Sequence, residues 1–236
     1  MPAVAMHISN GIIDNPIALL FAGVALAGLV LCFVMGRREL DDRLVPMAGL
    51  VAAFIFAVQM LNFQVLPGVS GHLLGGTLAV MLVGPYLGAI CVAIVLIVQA
   101  LILSDGGVTA LGLNITNMAL IGAAAGYLLV AALLRVLPRT TWALTVTAVA
   151  ASVVSVAVAS QGFVLEYWMG GATDVGRSIG GIAAALAGVH LLIGLGEGII
   201  TAITVTYVAK VRPDLVYAVR NLQRPGAAPK QQEVTA

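Results

Sequence analysis

His72-Leu73-Leu74-Gly75-Gly76-Thr77-Leu78-Ala79-Val80-Met81-Leu82-Val83-Gly84-Pro85 decides how this chain is laid out. Residues 72–84 are apolar and glycine-rich, yet too short to cross a hydrocarbon core of about 30 Å alone as a helix. Backbone that leaves helical geometry at membrane depth must be satisfied by protein. The segment therefore predicts a short or broken helix buried among longer ones. Pro67-Gly68-Val69-Ser70-Gly71 before it is backbone-irregular, and Gly84-Pro85 turns the chain after it.

On either side lie longer apolar runs. Asn15-Pro16 starts a span over 17–36, which Arg37 and Arg38 end. Residues 44–64 form the next, with Gln59 and Asn62 near its end. Beyond the short segment, spans are predicted over 86–103, 115–136, 141–163 and 180–209, with Trp142 as an interfacial anchor. Residues 164–178 read as the longest polar loop, carrying Glu166, Asp174 and Arg177. The expectation is an all-α integral membrane bundle of about seven transmembrane helices, one of them short or broken. Residues 6–215 would form the membrane-embedded domain, 1–5 an extra leader, and 219–236 a polar cytoplasmic tail.

Composition supports the class. The 236 residues are 61% hydrophobic and 9% charged, against about 25% charged in a soluble domain. Mean hydropathy is +1.10. A net charge of +1 supplies no basic field for nucleic acid. The two cysteines, Cys32 and Cys91, sit in apolar runs and read as small core hydrophobes. No basic n-region or small-residue cleavage site marks a signal peptide.

Cationic residues orient the crossings. With seven of them and the N-terminus outside, Arg37, Arg38, Arg43, Arg135, Arg139, Lys210, Arg212, Arg220, Arg224 and Lys230 fall inside, leaving only Arg177 outside. Dropping the short segment splits this bias, so the count and the N-out, C-in orientation support each other. His7, the connection before His72, the Asp105-Gly106-Gly107 loop and the 164–178 loop then gather on the outer face.

The chain has three histidines, His7, His72 and His190. If translation starts at Met6, or a leader ending at Ala5 is removed, His7 becomes the second residue. Its ring, its amide nitrogen and the Met6 amine would then form fused chelate rings supplying three coplanar nitrogens. His72, after a Ser-Gly turn, would complete a square suited to Ni(II) or Cu(II) and accessible to Co(II). His190 and Glu197, seven positions apart, share a helix face and are candidates for orienting a ligand or neutralising charge. Gln99 and Asn114 are candidates for holding loops closed over the metal, and Asp105 for the same task or for helix capping. Gly122/Gly126 and Gly194/Gly198 read as close-packing faces.

Met6-His7-Ile8-x-x-Gly11 resembles the N-terminus of the CbiM/NikM family, the cobalt/nickel substrate-binding subunits of energy-coupling-factor transporters. Ser70-Gly71-His72-Leu73-Leu74-Gly75-Gly76-x-Leu78 followed by Gly84-Pro85 looks like that family's second motif. Gln99-Ala100-Leu101 with Asp105-Gly106-Gly107-x-x-Ala110-Leu111-Gly112-x-Asn114 and Asn117-Met118 looks like its third. His190-x-x-Ile193-Gly194-x-Gly196-Glu197-x-x-Ile200-Thr201 looks like its last. The four stand in order from about residue 6 to 205. The resemblance implies a seven-helix bundle that holds Co(II) or Ni(II) as cargo with Met6, His7 and His72 and carries no resident cofactor. It also implies a coupling transmembrane subunit and ATPase subunits as partners, in a prokaryotic cell membrane.

The sequence has no GxxxxGK[ST], so ATP hydrolysis is expected from such partners and not from this chain. Cobalt is slightly favoured over nickel by the look of the motifs. An S-component for an organic vitamin is an alternative, but it wants an aromatic-lined pocket and aromatics are 6%. An intramembrane metalloenzyme using His190 and Glu197 is another, and no HExxH supports it.

Overall fold

A computed structural model describes residues 7–40, 43–60, 63–66, 69–172, 174 and 176–222. Met6, the 1–5 leader and the tail beyond 222 lie outside the described residues. Seven helices follow in order: α1 Asn15–Gly36, α2 Leu44–Gln59, α3 Gly76–Val83, α4 Pro85–Leu103, α5 Leu111–Val136, α6 Thr141–Gly170 and α7 Ile179–Val211. Five of them (α1, α4, α5, α6, α7) are long and apolar enough to cross a membrane. A small antiparallel hairpin, β1 Phe63–Leu66 and β2 Val69–Gly71, joins α2 to the His72 segment. The all-α membrane bundle expected from the sequence is present.

Local chemistry sets the helix starts. Asp14 accepts from the Ile17 amide at 3.0 Å with Pro16 in the first turn of α1. Thr140 and Ser178 do the same for Ala143 and Gly181, each at 3.2 Å. Each cap satisfies an amide that has no partner inside its helix.

At the centre sits α3, whose eight residues are all buried. It is wrapped by α2, α4, α5, α6 and α7. Eight helical residues rise only about 12 Å. The stretch from 72 to 75 is non-helical and gains length faster, at about 3.3 Å per residue when extended. Together they bring the chain from the hairpin to Gly84, whose φ of 90° makes the turn into α4. A helix apolar on every side is stable only inside a bundle, so the brevity and composition of this segment have one physical outcome.

Three boundaries differ from expectation, the first being α5, which starts at Leu111 and not at 115. α6 runs on to Gly170, so the polar connection shrinks to 171–178. The apolar neighbours of Glu166 keep the helix going, and its carboxylate is buried and not solvated. α2 stops at Gln59 and β1 starts at Phe63, with Leu61 and Asn62 outside the described residues.

α6 and α7 pack as an antiparallel pair. A Cβ on Gly194 would lie 2.7 Å from Val153 Cα, and one on Gly198 would lie 2.8 Å from Val149 Cα. Backbone thus meets backbone at a small-xxx-small face. Cys32 and Cys91 are free and buried, as expected of core hydrophobes. At the far end of α7, Arg212 donates twice to Asp214, at 3.0 and 2.8 Å, and holds that carboxyl below its ordinary range.

Gly198→Val forces two backbones apart. It is expected to cost about 1–3 kcal/mol, the usual range for overpacking, read as a lower thermal midpoint in detergent. An unchanged midpoint would mean that the α6–α7 crossing tolerates the added methyls.

Candidate metal centre

The segment from His7 to Asp14 is an irregular strap laid across one end of the bundle. The Gly107 amide donates to the Ile8 carbonyl at 2.9 Å. Asn114 grips the same residue from both sides: its Oδ1 accepts from the Ile8 amide at 3.0 Å, and its Nδ2 donates to the Ile8 carbonyl at 3.3 Å. Asn10 Oδ1 accepts from the Thr109 amide and hydroxyl at 3.0 and 2.7 Å. Further along, the Asp14 amide donates to Gly170, and Ala172 donates to Ile12.

Glycine is needed where the strap crosses the loop. Gly106 has a φ of 88°, and a Cβ there would lie 2.8 Å from the His7 Cβ. A Cβ on Gly107 would overlap the Asn10 backbone.

This strap sets His7 against His72. Their ring centroids are 4.7 Å apart, with planes tilted by 56°. Both residues are buried, at 8% and 6% exposure. His72 Nδ1 lies 2.9 Å from the Leu73 carbonyl. A carbonyl only accepts, so Nδ1 carries the proton and Nε2 the lone pair, the form in which an imidazole binds a metal. His7 Nδ1 stands 3.4 Å from Asp105 Oδ1, and neither His7 ring nitrogen has a hydrogen-bond partner among the described residues. Two buried imidazoles this close can reach one ion with bonds of about 2.0–2.1 Å. No group of three or more His, Cys, Asp or Glu able to hold a metal occurs among the described residues.

His72 is held from behind. Glu197 Oε2 accepts from the amides of Leu74 and Gly75 at 2.8 and 3.0 Å, capping the start of α3. Gln59 Nε2 donates to the Leu74 carbonyl at 2.7 Å. The orphan amides of a half-helix and the helix dipole both favour a carboxylate at this place. Glu197 does not join His190. His190 Nδ1 instead lies 2.8 Å from the Leu186 carbonyl of its own helix. Though they share a helix face, the two side chains are thus engaged with different partners. Gln99 is fully buried where α4 widens into a π-turn, and its carbonyl accepts from the Asp105 amide at 3.0 Å.

A cavity of about 810 Å³ opens beside the two rings. His7, His72 and His190 all line it, together with Asn117, Ser160 and Arg177. Asn117 sits on a π-helical stretch of α5 and donates to Glu166 Oε2 at 2.8 Å. Glu166, Asn117 and Gln59 were not singled out for this region from the sequence. The signal for Glu166 was present, a lone carboxylate among Val164, Leu165, Tyr167 and Trp168.

Comparisons with known proteins bear on this geometry. Residues 7–215 match the family model described as "CbiM: Cobalt uptake substrate-specific transmembrane region". A provisionally named fused nickel transport protein, NikMN, of Archaeoglobus fulgidus is 38% identical over 211 residues, 89% of this chain and 68% of that protein. The cobalt transport protein CbiM of Sorangium cellulosum is 30% identical over 221 residues, 89% and 94% of the two chains. The crystal structure of a transition metal transporter superposes with a TM-score of 0.77 at 25% identity, covering 87% of this chain and 93% of the other.

Asn114→Ala deletes both bonds to Ile8 and strands its amide, a loss of about 1–3 kcal/mol in the seating of the strap. Hydrogen exchange should accelerate over residues 7–14 while the α6–α7 pair stays protected. Unchanged protection over 7–14 would mean that Asn114 does not hold the strap.

Proposed function

The chain belongs to the CbiM family of cobalt-uptake transmembrane proteins, and from that premise we propose that it is the subunit of an energy-coupling-factor transporter that captures Co(II) or Ni(II). The observation that carries this is the His7–His72 pair, two buried rings 4.7 Å apart beneath a clamped strap.

The ion would be held by four nitrogens: the His7 ring, the His7 amide, the amine of Met6 and His72 Nε2. Ring Nδ1 and the amide of one histidine close a six-membered chelate, and the amine adds a five-membered one. Four nitrogens in a plane suit Ni(II) and are accessible to Co(II). Met6 lies outside the described residues, and its amine serves only if the mature chain begins there. Asp105, 3.4 Å from His7 Nδ1, places a negative charge beside the dication. Glu197, Gln59 and Asn114 would hold the two histidines in register, and Gln99 would brace the loop that carries Asp105.

ATP would be hydrolysed by separate ATPase subunits, reached through a coupling membrane protein, since this chain has no phosphate-binding loop. We place the chain as a multi-pass protein of a prokaryotic plasma membrane with the N-terminus outside, on the strength of the cationic bias. Cobalt is put ahead of nickel, in line with the family's description. The nickel naming of the Archaeoglobus relative keeps nickel as the second candidate.

Metal analysis and titration calorimetry of the purified protein, with both ions in competition, test this directly. One equivalent should bind tightly, and His7→Ala or His72→Ala should abolish it while the protein stays folded. Binding should weaken on acidification, because imidazole and amine donors must shed protons to ligate. Mass spectrometry of the natural N-terminus addresses the amine: an intact Met1 or Pro2 would remove it from the ligand set.

A further inference from the structure

The cavity is larger than the proposed four-nitrogen site needs. An ion held by His7, His72 and backbone nitrogens occupies little space, whereas the cavity measures about 810 Å³. A six-water hydration shell takes on the order of 200 Å³, at about 30 Å³ per water. The space admits a dication with its water still attached. Ala184, Ala185 and Gly188 line it and are themselves exposed, as is Arg177, so it is open to the surface on the side of α7 and the 171–178 connection.

His190 stands on this wall, partly buried. Its Nδ1 lies 2.8 Å from the Leu186 carbonyl. That contact fixes the proton on Nδ1 and leaves the lone pair on Nε2, the carbonyl–histidine–metal arrangement in which the second ring nitrogen is a ligand. Glu197, the acid nearest along the same helix face, is occupied by the Leu74 and Gly75 amides and does not compete for this ring. All three histidines of the chain thus border one space, while His190 does not join the other two in a metal-holding group of three.

We propose that His190 is a landing ligand. A hydrated Co(II) or Ni(II) entering the cavity exchanges one bound water for His190 Nε2. It then passes to His7 and His72: the metal–His190 bond and the remaining metal–water bonds break as the bonds to the tight-site nitrogens form, and the His7 amide proton leaves to the released water. The sequence is ligand exchange and one proton transfer, with no change in oxidation state. A landing ligand lowers the barrier for entry and exit equally, so it speeds both without changing the affinity of the final site. This inference rests on the His7–His72 reading of the tight site.

The test uses the full-length purified protein with Ni(II) alone, by stopped-flow and by titration. Wild type should show one tight and one weak site. His190→Ala should lose the weak site and slow association and dissociation together by about tenfold or more, leaving the tight dissociation constant in place. His72→Ala should lose the tight site and keep the weak one. Thermal unfolding of each variant reports on folding, and His190→Asn, a smaller polar replacement, serves if alanine destabilises the chain. Wild-type kinetics in a folded His190 variant, or a loss of tight affinity carried by faster dissociation alone, would overturn the landing role. If His7→Ala and His72→Ala both leave tight binding intact, the function proposed above fails instead, and the landing role falls with it.

Discussion

Two backbone amides, Leu74 and Gly75, converge on a single oxygen of Glu197, and the bundle is arranged around that capture. A chain that breaks from helical geometry between apolar helices leaves polar groups with no water to turn to. Here the break lies just before α3, and its amides are answered from α7 and its Leu74 carbonyl from Gln59 on α2. Removing the carboxylate would strand two donors in a low-dielectric interior, the costly half of any hydrogen-bond exchange. The same four residues, 72–75, carry His72 at one end and start the central helix at the other. The position of an imidazole and the integrity of the core are therefore tied to one interaction.

The opposite wall is built by a different principle. The strap from His7 to Asp14 has no regular secondary structure beyond one bridge, from Ile13 to Gly171. It is held by side chains that imitate a neighbouring strand. Asn114 presents an acceptor and a donor to both polar groups of Ile8, and the Gly107 amide adds a bond that only a residue without a side chain can approach closely enough to make. One wall is rigid because it is helical and deep. The other is rigid because its polar groups are satisfied one at a time.

Much of this was legible in the sequence, and the physical reasons divide cleanly. The five long helices follow from runs of apolar residues whose length a bilayer dictates. The shortness of 72–84 announced a buried half-helix, since no other setting would stabilise it. His7 and His72 were expected on one face, and the structure sets them together. What stayed hidden were contacts between residues far apart in the chain. Glu166 looked like a loop residue because a carboxylate in apolar surroundings is ordinarily solvated, and its buried oxygen Oε2 is met by Asn117, 49 positions away. His190 and Glu197 share a helix face, but Glu197 is engaged by the amides of Leu74 and Gly75, just before α3, and His190 by its own helix. Periodicity locates a side chain on a face; it does not say what competes for it.

The strap also has a consequence for biosynthesis. Ile8 is gripped by a residue 106 positions later, and Ile12 by Ala172. The strap thus finds its resting place only after the chain that carries its docking groups has been made. Closure over such separations is slow and entropically costly. Until Ala172 has been made, the carbonyl of Ile12 lacks its donor, so the strap gains its full set of bonds in one late step.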